Sequence, residues 1–154
     1  MIDFALTADA VAPQLLGCTL THAGVSIRLT EVEAYLGAED SAAHTFKGKT
    51  PRNAAMFGPP GRFYVYISYG IHRNVNIVCA PEGTGQGCLL RGGEIIEGAD
   101  IAFARRGTSD FHNLARGPGN LGKALGFTLE DNHQPIQLAE RSSEPEWVRG
   151  PRIG

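Results

Sequence analysis

The sequence predicts an α+β fold in a single domain, on three observations. Its 154 residues fall within the roughly 100–200 residues of one domain. Two pairs of runs that alternate apolar and polar residues, each pair split by a short turn signal, read as antiparallel hairpins. Around them stand segments with cap residues and helical spacing of apolar side chains. Apolar residues make up 42% and charged residues 19% of the chain, which excludes a disordered chain and a coiled coil. The 20 glycines and 9 prolines exceed ordinary usage without a triplet period and predict many turns.

Thr7 is placed to cap a helix that carries Val11, Leu15 and Leu16 on one side and stops at Gly17. Cys18–Thr21 and Val25–Tyr35 flank His22-Ala23-Gly24 as a hairpin whose second strand aligns Val25, Ile27 and Leu29. Unless a bulge intervenes, the same parity carries Glu31, Glu33 and Tyr35 onto that apolar face, and polar groups on an inward face are where function is commonly stored. Asp40 and Ser41 offer caps for a helical turn holding His44, and Thr50-Pro51-Arg52-Asn53 opens another that holds Met56 and Phe57. Gly58-Pro59-Pro60-Gly61 breaks the chain before a strand that separates Phe63, Val65 and Ile67 from Tyr64, Tyr66 and Ser68. Tyr69-Gly70 closes that strand, and Asn74 to Ala80 sets Asn74 and Asn76 opposite Val75, Ile77 and Cys79, which makes a protruding hairpin with a tyrosine at its tip. After the Gly-rich Pro81–Gly87, Cys88–Arg91 gives another strand and Ile95–Arg106 is expected to be helical. Gly117-Pro118-Gly119-Asn120 leads into a helix over Leu121–Leu125, whose first N–H groups could meet a phosphate or could be a plain helix start.

No stretch approaches the roughly 18 apolar residues of a membrane helix, and the first residues lack the basic and apolar regions of a signal peptide, so a soluble, cytosolic protein with no membrane partner is expected. Cys18, Cys79 and Cys88 are odd in number, lack C-x-x-C spacing and read as buried free thiols. His22, His44, His72, His112 and His133 show no paired ligand spacing, so neither a metal nor a cofactor is expected.

The formal net charge of −2 argues at first against a nucleic-acid partner. By segment the picture changes, because residues 1–40 hold one Arg against six acids, whereas residues 41–81 hold Lys47, Lys49, Arg52, Arg62 and Arg73 and no acid. Phe46, Phe57, Phe63, Tyr64, Tyr66 and Tyr69, half of the twelve aromatic residues, interleave with these cations. Cations track phosphates and flat rings stack on bases, so the block fits a nucleic-acid surface. Residue types alone leave the alternative open, an ordinary core strand with scattered solvated charges.

The run Glu31-Val32-Glu33-Ala34-Tyr35-Leu36-Gly37, then Asp40 and His44, Thr50-Pro51-Arg52-Asn53, Met56-Phe57 and Tyr64-Val65-Tyr66-Ile67-Ser68-Tyr69-Gly70, strongly resembles the 3-methyladenine (alkyladenine) DNA glycosylase family. The resemblance continues through Asn76, Leu89-Leu90-Arg91, Gly117-Pro118-Gly119, Ala124-Leu125-Gly126 and Pro151-Arg152-Ile153-Gly154. It thus covers nearly the whole chain in one order.

That resemblance implies one domain over residues 1–154 with a curved, largely antiparallel sheet flanked by helices. It implies a monofunctional enzyme, a monomer, that flips alkylated or deaminated purines out of double-stranded DNA and hydrolyses the N-glycosidic bond without strand cleavage. Such an enzyme would work in the bacterial cytoplasm at the nucleoid, or in a eukaryotic nucleus. By the same resemblance Glu33 matches the base that activates water, Arg91 helps to hold that water, and Ile153 stands where a late carbonyl does the same. Tyr35, His44 and Tyr66 match the walls stacked on the flipped base, Asn76 screens its edge, and Tyr69 is the ring wedged into the minor groove. Lys47, Lys49, Arg52, Arg62 and Arg73 are expected on backbone phosphates. A cationic alkylated purine leaves without protonation, so one carboxylate suffices to deprotonate water and offset oxocarbenium charge. The three lysines, Lys47, Lys49 and Lys123, fall outside the matched pocket, which argues against an amine-dependent lyase.

Two departures stand out. His72-Arg73 follows the tyrosine tip where many relatives carry apolar or aromatic residues, and relatives continue past the equivalent of Gly154, so a C-terminally shortened sheet edge is expected. A non-catalytic damaged-DNA-binding module and a hydrolase of free nucleosides are the rival readings; the pairing of Glu33 with Arg91 argues against the first, and the cationic, tyrosine-tipped surface against the second.

Overall fold

Two-residue turn chemistry starts the sheet. Ala23 and Gly24 both take positive φ, 46° and 87°, the pairing of a tight hairpin turn, and they join β1 (Thr19–His22) to β2 (Val25–Tyr35). The turn is one residue shorter than expected, because His22 already pairs with Val25. The computed structural model describes residues 1–151. The remaining strands are β3 (Phe63–Ser68), β4 (His72–Cys79), β5 (Gln86–Glu97) and β6 (Leu138–Ala139). They form one curved, unclosed sheet in the order β3-β4-β5-β2-β1-β6, with every neighbouring pair antiparallel.

One face of this sheet carries the main core. Ile27, Leu29, Val65, Val75, Ile77 and Leu90 pack there with side chains of α1 (Ala8–Leu15), α2 (Ala99–Arg106) and α3 (Pro118–Ala124). Each fully buried Leu, Ile or Val contributes about 1.5–3 kcal/mol. Cys18, Cys79 and Cys88 are buried free thiols, as expected; the Cys79 and Cys88 sulfurs lie 3.8 Å apart. The opposite face carries 3-10 turns at Gly37–Glu39 and Ala54–Phe57 and the chain between them, with a small cluster of Ala55, Met56, Tyr64 and Val78. Helices on one face and short turns on the other leave the second face open to polar side chains.

Several local expectations are corrected. Thr7 precedes α1 but makes no side-chain cap bond; the buried Gln86 of β5 instead accepts from the Ala8 N–H at 3.0 Å. At the other end Arg141 donates to the carbonyls of Pro13 and Leu16, both at 2.9 Å, which satisfies orphan acceptors of the last turn. Ile95–Glu97 is strand rather than helix, because Ile95 pairs with Ile27 and Glu97 with Ser26. Gly98, at φ 80°, ends β5 and α2 begins only at Ala99. His44 sits in a series of turns over 41–47 rather than in a helical turn, and the Asp40 carboxylate accepts from the N–H groups of Leu36 and Ala42.

The correction that matters most for the site lies in β2. Its parity does not run unbroken, since the register with β5 slips around Glu31 and is restored at Val32↔Leu90. Leu29 belongs to the main core, and Val32 and Ala34 pack against that same core. A bulge has therefore exchanged the faces of the strand. Glu31, Glu33 and Tyr35 turn away from the helices toward the open face.

Candidate active site

Ladder pairing sets a row of side chains across that open face. Glu33 pairs with Leu89, Leu89 with Asn76, and Asn76 with Tyr64. One step toward the hairpin tip, Tyr66 pairs with Asn74. Side chains two apart on a strand share a face, so Arg91 joins Leu89, and Tyr35 joins Glu33.

Glu33 is held at both oxygens. Arg91 Nη1 donates to its Oε1 at 3.2 Å, and Tyr35 Oη donates to its Oε2 at 2.6 Å. Only 9% of the Glu33 side chain is exposed and 16% of Arg91. Charge-assisted bonds of this kind fix a carboxylate in one orientation.

Beside this pair stands a wall of rings. His44 lies 4.1 Å from Tyr66, centroid to centroid, at an interplanar angle of 63°, and Tyr66 lies 5.7 Å from Tyr64. The loop that supplies His44 is tied down by Asn53, whose amide donates to the carbonyls of His44 and Gly48, both at 3.1 Å. Arg52 of the same loop donates to the Ile67 carbonyl at 2.6 Å and so anchors the loop to β3. Burial pushes the Tyr64 phenol up to about 12, with the neighbouring Tyr66 adding to the effect. Tyr66 is raised as well, mainly by burial and despite its bond from Asn74. Burial and then the Arg52 charge lower His44 below the ordinary imidazole value of 6.5. At neutral pH the wall is thus two phenols and a neutral imidazole.

The predicted residues divide as follows. Glu33, Arg91, Tyr35, His44 and Tyr66 converge on one site, with Asn76 buried in the adjoining floor and donating to the Tyr64 carbonyl at 3.4 Å. Tyr69 stands at the tip of the β3–β4 hairpin, 93% exposed, at φ 51°, with Gly70 at 72°. Lys47, Lys49 and Arg52 lie exposed on the loop that carries His44, and Arg73 is exposed beside the tip. Arg62 is exposed at the other end of β3, about 20 Å of strand from the tip, and donates to the His133 carbonyl. Ile153 lies outside the described residues.

Three residues of the site had no role assigned from sequence. Tyr64 is 1% exposed and its Oη meets His44 Nδ1 at 3.4 Å. Asn74 donates to Tyr66 Oη and Ser68 Oγ, each at 3.2 Å, and alternation with Tyr66 and Asn76 was its available signal. Glu31 accepts from Arg91 Nε at 3.0 Å.

A family model for methylpurine-DNA glycosylase matches residues 2–154. The chain belongs to the methylpurine-DNA glycosylase family. This glycosylase is 69% identical to a protein of Corynebacterium efficiens over 99% of this chain and 83% of the relative. It is 64% identical to one of Corynebacterium glutamicum over 99% of this chain and 84% of the relative, and 48% identical to one of Cutibacterium acnes over 100% and 87%. All three relatives carry the provisional name 3-methyladenine DNA glycosylase. As a DNA glycosylase the protein is a hydrolase of N-glycosyl bonds. No helix of this glycosylase, among the described residues, is long and apolar enough to cross a membrane.

Proposed function

We propose that the protein excises alkylated and deaminated purines from duplex DNA by extruding the damaged nucleotide into the site and hydrolysing its N-glycosidic bond with water activated by Glu33. The observation that carries this reading is a nearly buried carboxylate, oriented by Arg91 and Tyr35, on the same sheet face as the ring wall of Tyr66 and His44 and near enough that its charge acts on the Tyr66 phenol. As the N-glycosidic bond breaks, its electron pair leaves with the purine, a cationic alkylated base departing neutral; Glu33 takes the proton of the water whose oxygen bonds to the sugar carbon, and its negative charge offsets the oxocarbenium character. Arg91 holds the carboxylate and the water. Tyr35, His44 and Tyr66 stack on the purine, and Asn76 reads its edge.

Ring faces attract positive charge by about 0.5–2 kcal/mol, which favours a cationic alkylated base over a normal one. A neutral His44 fits this task, since an imidazolium would repel the lesion. The lowered imidazole value fixes the sign of the pH effect: selectivity for alkylated over undamaged duplex holds through neutral pH and declines on acidification below the ordinary histidine range, as the ring takes up its proton. Binding titrations against both duplexes at several pH values check this, and His44→Phe should flatten the decline.

Flipping costs a few kcal/mol of pairing and stacking, and Tyr69 fills the vacated step. Lys47, Lys49, Arg52 and Arg73 contact phosphates around the lesion, and Arg62 does so farther along the duplex. The test compares release of one damaged purine from duplex with release from the free nucleoside. Turnover should be confined to duplex, and Tyr69→Ala should slow it by about tenfold. Equal turnover of the nucleoside would favour the nucleoside hydrolase; damage-selective binding without release would favour the binding module.

A further inference from the structure

We infer that Glu31 is a positioning residue that acts through Arg91 on Glu33, an inference that rests on the reading of Glu33 as the general base. The bulge in β2 turns Glu31 onto the open face beside Glu33. From there its Oε1 accepts from Arg91 Nε at 3.0 Å while Arg91 Nη1 reaches Glu33 Oε1 at 3.2 Å. A guanidinium is planar and its donors are fixed relative to one another. One contact at Nη1 leaves that plane free to swing about the contact; a second, at Nε, fixes it. Tyr35 holds the remaining oxygen of Glu33, so the carboxylate is set by two groups, one of which is itself set by Glu31.

The charges point the same way. Two carboxylates share one guanidinium, so Arg91 bridges Glu31 and Glu33 across the open face. Glu31 is itself 54% exposed, where an ion pair adds little to stability. Its effect is therefore expected in the rate and not in the melting temperature.

The experiment measures single-turnover release of a cationic alkylated purine from a duplex for the wild type, Glu31→Ala, Glu31→Gln and Glu33→Gln, with duplex affinity and melting temperature in parallel. Glu31→Ala should slow release by about tenfold with affinity and melting temperature unchanged. Glu31→Gln keeps an oxygen for Arg91 Nε and should recover most of the rate. Release by Glu31→Ala within about twofold of wild type, with Glu33→Gln inactive, would overturn the inference. So would a loss in Glu31→Ala that follows a lower melting temperature and is not recovered by glutamine. Wild-type release by Glu33→Gln would overturn the reading of Glu33 itself.

Discussion

Glu33→Gln should lower single-turnover release of a damaged purine by about 10²–10⁴-fold, the range that a general base contributes. The substitution preserves volume and shape. The amide oxygen can still accept from Arg91 Nη1, and the amide nitrogen can donate to the Tyr35 hydroxyl that donates to Glu33 Oε2 in the native site. The site therefore keeps its packing and loses only the charge and the capacity to take a proton. Duplex affinity should be equal or tighter, since a negative charge facing phosphates has gone. A rate within a few-fold of wild type at unchanged affinity would remove Glu33 from the chemistry.

Gly122→Ala should destabilise the fold by about 3 kcal/mol, the upper part of the usual overpacking range. A Cβ at this position would overlap the carbonyl oxygen of Arg73 on β4. Helix α3 cannot yield easily, because Leu121, Ala124 and Leu125 on either side are fully buried in the main core. Helix propensity alone predicts the opposite sign, a gain of about 1 kcal/mol for alanine, so a thermal melt separates the two effects cleanly. Gly119→Ala is the control: its nearest neighbour is the ring of His72, an exposed side chain that can move aside, and its effect should be small. If Gly122→Ala melts at or above the wild-type temperature, the close approach of α3 to β4 is wrong. The same contact supports β4, the strand that presents Asn74 and Asn76.

Much of this architecture was legible from local pattern. The β3–β4 hairpin announces itself by the alternation of Phe63, Val65 and Ile67 with Tyr64, Tyr66 and Ser68 and by Tyr69-Gly70 at the turn, and the observed register agrees. The two faces fall as that alternation requires, with Phe63 and Val65 in the main core and Tyr64 in the smaller cluster.

What was not legible depends on partners far along the chain. Ile95–Glu97 looks helical in isolation, yet it pairs with the start of β2, some seventy residues earlier. The bulge at Glu31 leaves no glycine or proline in β2; its signal is Gly92-Gly93 on the opposing strand, which parity within β2 cannot register. The Arg91–Glu33 bond likewise joins neighbouring strands at residues far apart in sequence, so residue types alone left Glu33 as one carboxylate among several, and family resemblance was needed to single it out. His44 is held by Asn53 and placed by the loop over 41–53, a tertiary restraint that overrode the helical turn its flanking caps suggested. The net charge of −2 hid the segregation that the fold makes spatial: Lys47, Lys49 and Arg52 share the loop that supplies His44 to the open face.

The central claim, hydrolysis of the N-glycosyl bond of a damaged purine in DNA by this one site, meets its most direct test in a product analysis. A duplex with a single alkylated purine is incubated with excess protein; free base is quantified, and the damaged strand is sized before and after treatment with alkali. The account predicts stoichiometric free base from a strand that stays intact until alkali cleaves it at the abasic position. Intact lesion after prolonged incubation, or strand scission before alkali, would contradict it.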